Sequence, residues 1–244
     1  MQSRYIFLFH SILVSVGLYC TSAVAQQFSF PDPPLQDDPG FELIFDGKTL
    51  NGWEGDLKYW RVENGCLVGE VTPETLLKRN SFIIWRGGVT RDFELKVEYR
   101  VSPRGNSGIN YRSVELPDQP WAMRGYQADI DGEGRWTGQN YEERGRTFLA
   151  LRGQFSRVEE AKKARVVASL GDSKQLQSHV KEDWNEYYLI ARGNLLVHII
   201  NGQVMSVVLD EDAKNRRVEG LLGVQVHVGP AMKIEYRNFR LKKL

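Results

Sequence analysis

Apolar and polar residues alternate with a period of two along much of this chain. Residues 93–101 show it most clearly, with Phe93, Leu95, Val97, Tyr99 and Val101 separated by charged residues. That is the pattern of an antiparallel strand with one buried face. Further strands are predicted at 41–45, 59–63, 66–70, 82–85, 186–192, 195–200, 203–209, 223–228 and 233–242. Turn chemistry punctuates them. Asn64-Gly65 is a hairpin dipeptide in which both central residues accept positive φ, and Arg192-Gly193-Asn194 and Asn201-Gly202 close a meander. Only residues 156–168 and 173–181 read as helical, and both are short and polar. Many strands with so little helix predict an all-β fold, a two-sheet antiparallel jelly-roll sandwich with one concave face, formed as a single domain by residues 41–244.

The N-terminus breaks the pattern. Arg4 precedes an apolar run over residues 5–19, and Ala23-Val24-Ala25 supplies a small-residue cleavage site, so residues 1–25 are expected to be a signal peptide. Lipid attachment at Cys20 is disfavoured because the large Tyr19 precedes it. Residues 26–40, rich in Pro, Asp and Gln, read as an extended leader. The expected location is therefore periplasmic or secreted. No later segment has the roughly 20 apolar residues of a membrane span.

Charge narrows the partners. The chain carries 32 Lys and Arg against 31 Asp and Glu, and losing Arg4 leaves 31 of each. Such a balance, with no long run of one sign, argues against nucleic acid or a membrane surface as partner. Cleavage also leaves Cys66 as the one cysteine, which excludes an internal disulfide; its strand context reads as a small buried hydrophobe.

Two neighbouring segments carry the candidate chemistry. In Gly105-Asn-Ser-Gly-Ile-Asn-Tyr-Arg112, alternation puts Asn106, Gly108, Asn110 and Arg112 on one strand face; in Gly125-Tyr-Gln-Ala-Asp-Ile-Asp131 it puts Gln127, Asp129 and Asp131 on one face. Polar and charged faces on both strands predict a cleft for a polar ligand. Asp129 and Asp131 either act there or accept turn amides from the glycines that follow. Their Cα atoms should be about 6.5–7 Å apart. A retaining glycosidase strand would want its two carboxyls about 5–5.5 Å apart, and Gln127 can serve as neither acid nor nucleophile. The run 129–134 imitates the start of a calcium loop but has Asn140 at the twelfth position, which rules out an EF-hand and leaves a looser cation site open.

His227 stands on the polar face of Gly223-Val-Gln-Val-His227, with Gln225, where it can act as general base or bind a metal. His198, sharing a face with Leu196 and Ile200, reads as a core residue. Arg112 offers a fixed charge suited to a developing oxyanion, or a buried ion pair with Asp129 or Asp131. Trp53, Trp121, Trp136 and Tyr141 lie in loop-like contexts where rings stack on sugars.

Several ordered motifs give the chain a resemblance to the 3-keto-disaccharide hydrolase domain family. They are Phe45-Asp-Gly-Lys-Thr-Leu-Asn-Gly-Trp53, Asn106-Ser-Gly-Ile109 with Arg112, Glu182-Asp-Trp-Asn185, His198 with Asn201-Gly202, Gly223-Val-Gln-Val-His227, and Arg237-Asn-Phe-Arg240. The resemblance implies a concanavalin A-like lectin/glucanase fold and cleavage of 3-keto-glycosides, the partner being an oxidised disaccharide or glycoside. A C3 ketone acidifies the C2 hydrogen, so a base removes it and the C1 oxygen leaves by elimination. In that scheme Asp129 or His227 is the base and Arg112 the enolate stabiliser, with a divalent metal ion as a candidate cofactor. Asn106, Asn110, Gln127 and Gln225 hold hydroxyls, and Asp131 and Tyr141 complete the substrate-binding set. One departure stands out: many relatives have Tyr-Glu-x-Gln where this chain has Tyr126-Gln-Ala-Asp129, a carboxylate moved two places along one face. The alternatives are a non-catalytic carbohydrate-binding module of the cell envelope and a conventional retaining glycoside hydrolase.

Overall fold

The computed structural model describes residues 39–244. The expected signal peptide, 1–25, and nearly all of the expected leader lie outside the described residues.

Seventeen strands and one short helix follow in order among the described residues. They are β1 (Glu42–Leu43), β2 (Trp53–Glu54), β3 (Trp60–Glu63), β4 (Cys66–Val71), β5 (Ser81–Thr90), β6 (Phe93–Val101), β7 (Asn106–Glu115), β8 (Met123–Asp131) and β9 (Asn140–Glu143). After these come β10 (Thr147–Ala150), β11 (Gln154–Val158), β12 (Arg165–Ser169), α1 (Ser173–Gln177), β13 (Asn185–Arg192), β14 (Leu195–Ile200), β15 (Gln203–Asp210), β16 (Gly220–Val226) and β17 (Met232–Lys243). One sheet runs β12-β11-β15-β14-β13-β6-β17-β4-β3, with β1 added on β17; the other runs β10-β9-β8-β7-β16-β5-β2. All pairings are antiparallel except β11 with β15. The architecture is the expected two-sheet jelly roll.

Each sheet buries the face its alternation marks. Phe93, Leu95, Val97 and Tyr99 on β6 meet Ile109 and Tyr111 on β7 and Tyr126, Ala128 and Ile130 on β8 in one core. At the Asn64-Gly65 hairpin both residues take positive φ, 51° and 79°. Segment 156–168 departs from its helical expectation. It contains the end of β11, a turn with Ala161 at φ 56°, and the start of β12. The reason is tertiary: β11 lies beside β15 and buries Ser156 and Val158 there, a period of two that the polar residues around them hide. Within the other segment read as helical, only residues 173–177 form an α-helix, capped by Asp172.

The strands that carry the polar face are pinned from behind. Ser107 Oγ meets Tyr236 OH at 2.8 Å, Tyr111 OH donates to His198 Nε2 at 2.9 Å, and Tyr126 OH donates to Asp210 Oδ2 at 2.6 Å. His198 Nδ1 donates to the Gln139 carbonyl at 3.1 Å, which leaves Nε2 as the acceptor. Each of these three hydroxyls thus has a partner on the opposite sheet. These bonds fix β7 and β8 on the core, so the residues between them project outward in register.

A carboxyl cleft on the outer face of the seven-stranded sheet

Register brings the polar residues together. Gly108 pairs with Asp129 and Asn110 with Gln127 across β7 and β8, while Gln127 pairs with Tyr141 and Gly125 with Glu143 across β8 and β9. The outward residues of these strands and of the β16 end border a cleft of about 530 Å³. Asn106, Gln127, Asp129, Tyr141 and His227, all expected from the sequence, line it. So do Asn80, Trp136, Glu143, Arg144 and Phe148, of which the sequence reading had singled out only Trp136.

Two carboxyls define its chemistry. Asp129 is only 7% exposed. Its Oδ1 accepts from Gln127 Nε2 at 2.8 Å. Burial pushes this carboxyl well above the ordinary aspartate range, against the pull of that hydrogen bond and helped by Asp131 and Glu143 nearby. Glu143 is also raised, chiefly by burial, with Asn80 and Arg144 opposing. Asn80 Nδ2 donates to Glu143 Oε1 at 3.3 Å while its Oδ1 accepts from the Val228 N–H at 2.9 Å. That amide bridges the β9 carboxyl to the residue after His227. Burial lowers His227, and its Nδ1 lies 2.5 Å from the Val228 carbonyl. A carbonyl only accepts, so Nδ1 carries the hydrogen and Nε2 holds the lone pair.

An aromatic wall completes the cleft. Trp136 and Phe148 stack at 5.4 Å with 23° between their planes, and Tyr141 meets Phe148 edge-on at 5.1 Å. Trp136 and Phe148 are 39% and 38% exposed, an unusual investment of large rings at a surface beside two buried carboxyls. Trp53, by contrast, is a core residue whose Nε1 donates to the Ile44 carbonyl.

Four expected site residues stand elsewhere. Arg112 does not face Asp129. Between Tyr111 and Val114 the β7 ladder slips by one residue against β8, and Arg112 there has φ 44°. The inserted residue reverses the alternation, so the guanidinium turns into the sandwich end. It donates to the Arg91, Gly193 and Arg217 carbonyls and pairs with Asp92 at 3.0 Å, neither with Asp129 nor with Asp131. Asp131 is committed to a loop: Oδ2 accepts the Arg135 N–H, and Oδ1 those of Trp136 and Thr137, each at 2.8 Å. It is a turn acceptor, for amides further along than the glycines expected, and does not line the cleft. Asn110 and Gln225 are fully buried, out of reach of a ligand in the cleft. Among the described residues no three His, Cys, Asp or Glu side chains group to hold a metal ion.

The two packed sheets and the acidic cleft define a two-sheet jelly-roll protein with a polar, ligand-sized cleft on one sheet. The chain belongs to the 3-keto-alpha-glucoside-1,2-lyase-like domain family, whose sequence profile matches residues 40–242. A 3-keto-disaccharide hydrolase of Bacteroides thetaiotaomicron is 35% identical over 105 residues, which cover 40% of this chain and 36% of that protein. A crystal structure from Parabacteroides distasonis, provisionally described as a glycosyl hydrolase, superposes with TM-score 0.56 at 22% identity, covering 84% of this chain and 94% of that one. The carbohydrate-binding module CBM66 of Bacillus subtilis superposes with TM-score 0.51 at 16% identity, covering 79% and 96%. These likenesses to solved structures establish the fold.

Proposed function

We propose that this protein cleaves 3-keto-glycosides by removing the C2 proton and eliminating the C1 leaving group. Family membership supports the substrate class. The observation that carries the residue assignment is the pair of raised carboxyls, Asp129 and Glu143, in one cleft. Groups whose environments separate their proton affinities divide acid from base roles. Asp129, buried in the cleft floor with its carboxyl pushed upward by burial, is the general acid. Glu143 is the base, and the neutral His227 Nε2 is a second acceptor beside it.

In this scheme Glu143 takes the C2 hydrogen as a proton, and the bonding pair moves to form the C2–C3 enolate. The C1–O bond then breaks with its electrons on the departing oxygen, which receives the Asp129 proton. A 3-keto sugar with a C1–C2 double bond remains, and water adding across that bond completes net hydrolysis. Arg144, 3.8 Å from Glu143 Oε1, replaces Arg112 as the cation available to the enolate oxygen. Gln127, Asn106 and Asn80 offer hydrogen bonds to hydroxyls. The Trp136–Phe148 wall gives the departing group a surface to stack on.

A second reading, a conventional glycoside hydrolase, gains from the same pair, because Glu143 supplies the carboxyl that Gln127 cannot. The test compares a 3-keto-glucoside bearing a chromogenic leaving group with the unoxidised glucoside, each with and without chelator. Release from the keto sugar alone is expected. Release from the plain glucoside would favour the conventional hydrolase. Sugar binding with no release from either would leave a carbohydrate-binding module, and loss with chelator would add a metal. Action in the periplasm or outside the cell rests on residues 1–25 alone and is proposed with the rest.

A further inference from the structure

Two buried glutamines, Gln225 and Gln127, form a chain that ends on Asp129. Gln225 on β16 donates from Nε2 to Gln127 Oε1 at 3.0 Å, and Gln127 on β8 donates from Nε2 to Asp129 Oδ1 at 2.8 Å. Strand β7 runs between β8 and β16, so the Gln127 side chain must cross it. It crosses at Gly108, where any Cβ would come within 2.6 Å of Gln127 Cγ. Gln225 is fully buried and Gln127 only 4% exposed. Gln225 therefore touches no ligand in the cleft, yet its N–H engages the oxygen end of the Gln127 amide whose N–H meets Asp129.

We propose that Gln225 is a positioning residue, acting through Gln127 to keep an N–H on Asp129 Oδ1 and so leave Oδ2 as the oxygen that carries and delivers the proton. An amide has one donor end and one acceptor end. With its oxygen engaged by Gln225, Gln127 presents N–H to Asp129. Without Gln225 the amide is free to turn, and a protonated Asp129 then donates into Gln127 Oε1, away from the cleft. The same N–H stabilises the carboxylate left after proton delivery. The titratable or charged groups facing Asp129 are Glu143, Asp131 and Tyr141, with Tyr187 beneath it in the core and His227 and Arg144 on the cleft wall.

This inference rests on the acid role given to Asp129 above, and its test separates the two. Gln225→Met and Gln127→Met would be made singly and together, with folding checked by circular dichroism. Carbon-13 NMR of the Asp129 carboxyl, read without substrate, should show its titration displaced upward in both single variants, and no further in the double. On methyl 3-keto-glucoside, a poor leaving group that needs an acid, kcat should fall about tenfold or more in both single variants, with KM within about twofold for the buried Gln225→Met. On the nitrophenyl analogue, whose leaving group needs little protonation, the fall should be much smaller. If Gln225→Met fails to fold, Gln127→Met at the cleft floor still reports the Asp129 titration. An unchanged titration in both variants, or effects that add in the double, would overturn the relay. A wild-type protein that cleaves neither keto sugar would overturn the proposed function, while the titration would still decide the relay.

Discussion

Gln127 lies across Gly108: a Cβ added at that glycine would stand 2.6 Å from Gln127 Cγ and 2.9 Å from its Nε2. Glycine is therefore required here for space, since its backbone angles are those of an ordinary strand. Gly108→Ala should displace Gln127, the side chain with most freedom to yield, and cost about 1 kcal/mol, the low end for overpacking. Activity should fall more than stability does, because Asp129 loses its hydrogen bond. Thermal denaturation beside kcat on a 3-keto-glucoside checks this; a large drop in melting temperature with full activity would contradict it.

Asp129 sets a pH dependence of stability. Its pKa is raised on folding, so its contribution is full below the unfolded aspartate range and is lost as pH rises through the elevated folded value. Asp129→Asn removes that loss. The variant should be more stable than wild type at neutral and alkaline pH, with little gain under acid conditions. Cleavage of poor leaving groups should drop by roughly 10²–10⁴-fold. Urea unfolding at acid and alkaline pH, paired with rates, measures both.

Glu143 is expected to matter whatever the leaving group. Glu143→Gln should depress turnover by roughly 10²–10⁴-fold on nitrophenyl and methyl 3-keto-glucosides alike, because proton abstraction precedes departure. A loss confined to the methyl substrate would make Glu143 the acid and reverse the assignment.

Asp131 holds the aromatic wall in place. Three backbone N–H groups of residues 135–137 converge on its carboxylate at 2.8 Å. Asp131→Ala should cost about 1–3 kcal/mol by leaving them unpartnered. If the proposed leaving group stacks on Trp136, it should also raise KM for 3-keto-disaccharides more than for methyl 3-keto-glycosides. Equal KM changes for both would separate Trp136 from the leaving group.

His198 explains an acid sensitivity. Buried and bonded to Tyr111 and the Gln139 carbonyl, it is lowered from 6.5 to about 3. Stability is thus full above the unfolded value, and is lost as pH falls from about 6.5 toward about 3. The loss is on the order of 5 kcal/mol for a neutral, fully buried imidazole. His198→Gln should be less stable at neutral pH yet show a flatter decline over that window in denaturant titrations.

Much of the lining of the candidate cleft could be read from the chain because strand alternation acts locally. It placed Gln127 and Asp129 on one face, and Asn106, Tyr141 and His227 now line the cleft with them. Glu143 escaped because residues 140–143 follow a glycine-rich loop and make a strand of only four residues. The signal was present, Tyr141 and Glu143 alternating with Asn140 and Glu142, but its partner strand could not be named. Arg112 escaped differently. One extra residue between Tyr111 and Val114 reverses parity, and nothing local in Asn-Tyr-Arg-Ser announces the slip.

By itself the sequence determined the all-β class, most strand positions, the hairpin turns and the family, since period-two alternation and turn propensities act between near neighbours. Only the tertiary structure decided that Glu143 joins Asp129, that Asp131 and Arg112 serve loops and the sandwich end, and that Gln225 reaches Asp129 through Gln127. Those relations depend on which strands pair and in what register. Register is settled by burying both sheets against one core, a long-range balance that no local pattern encodes.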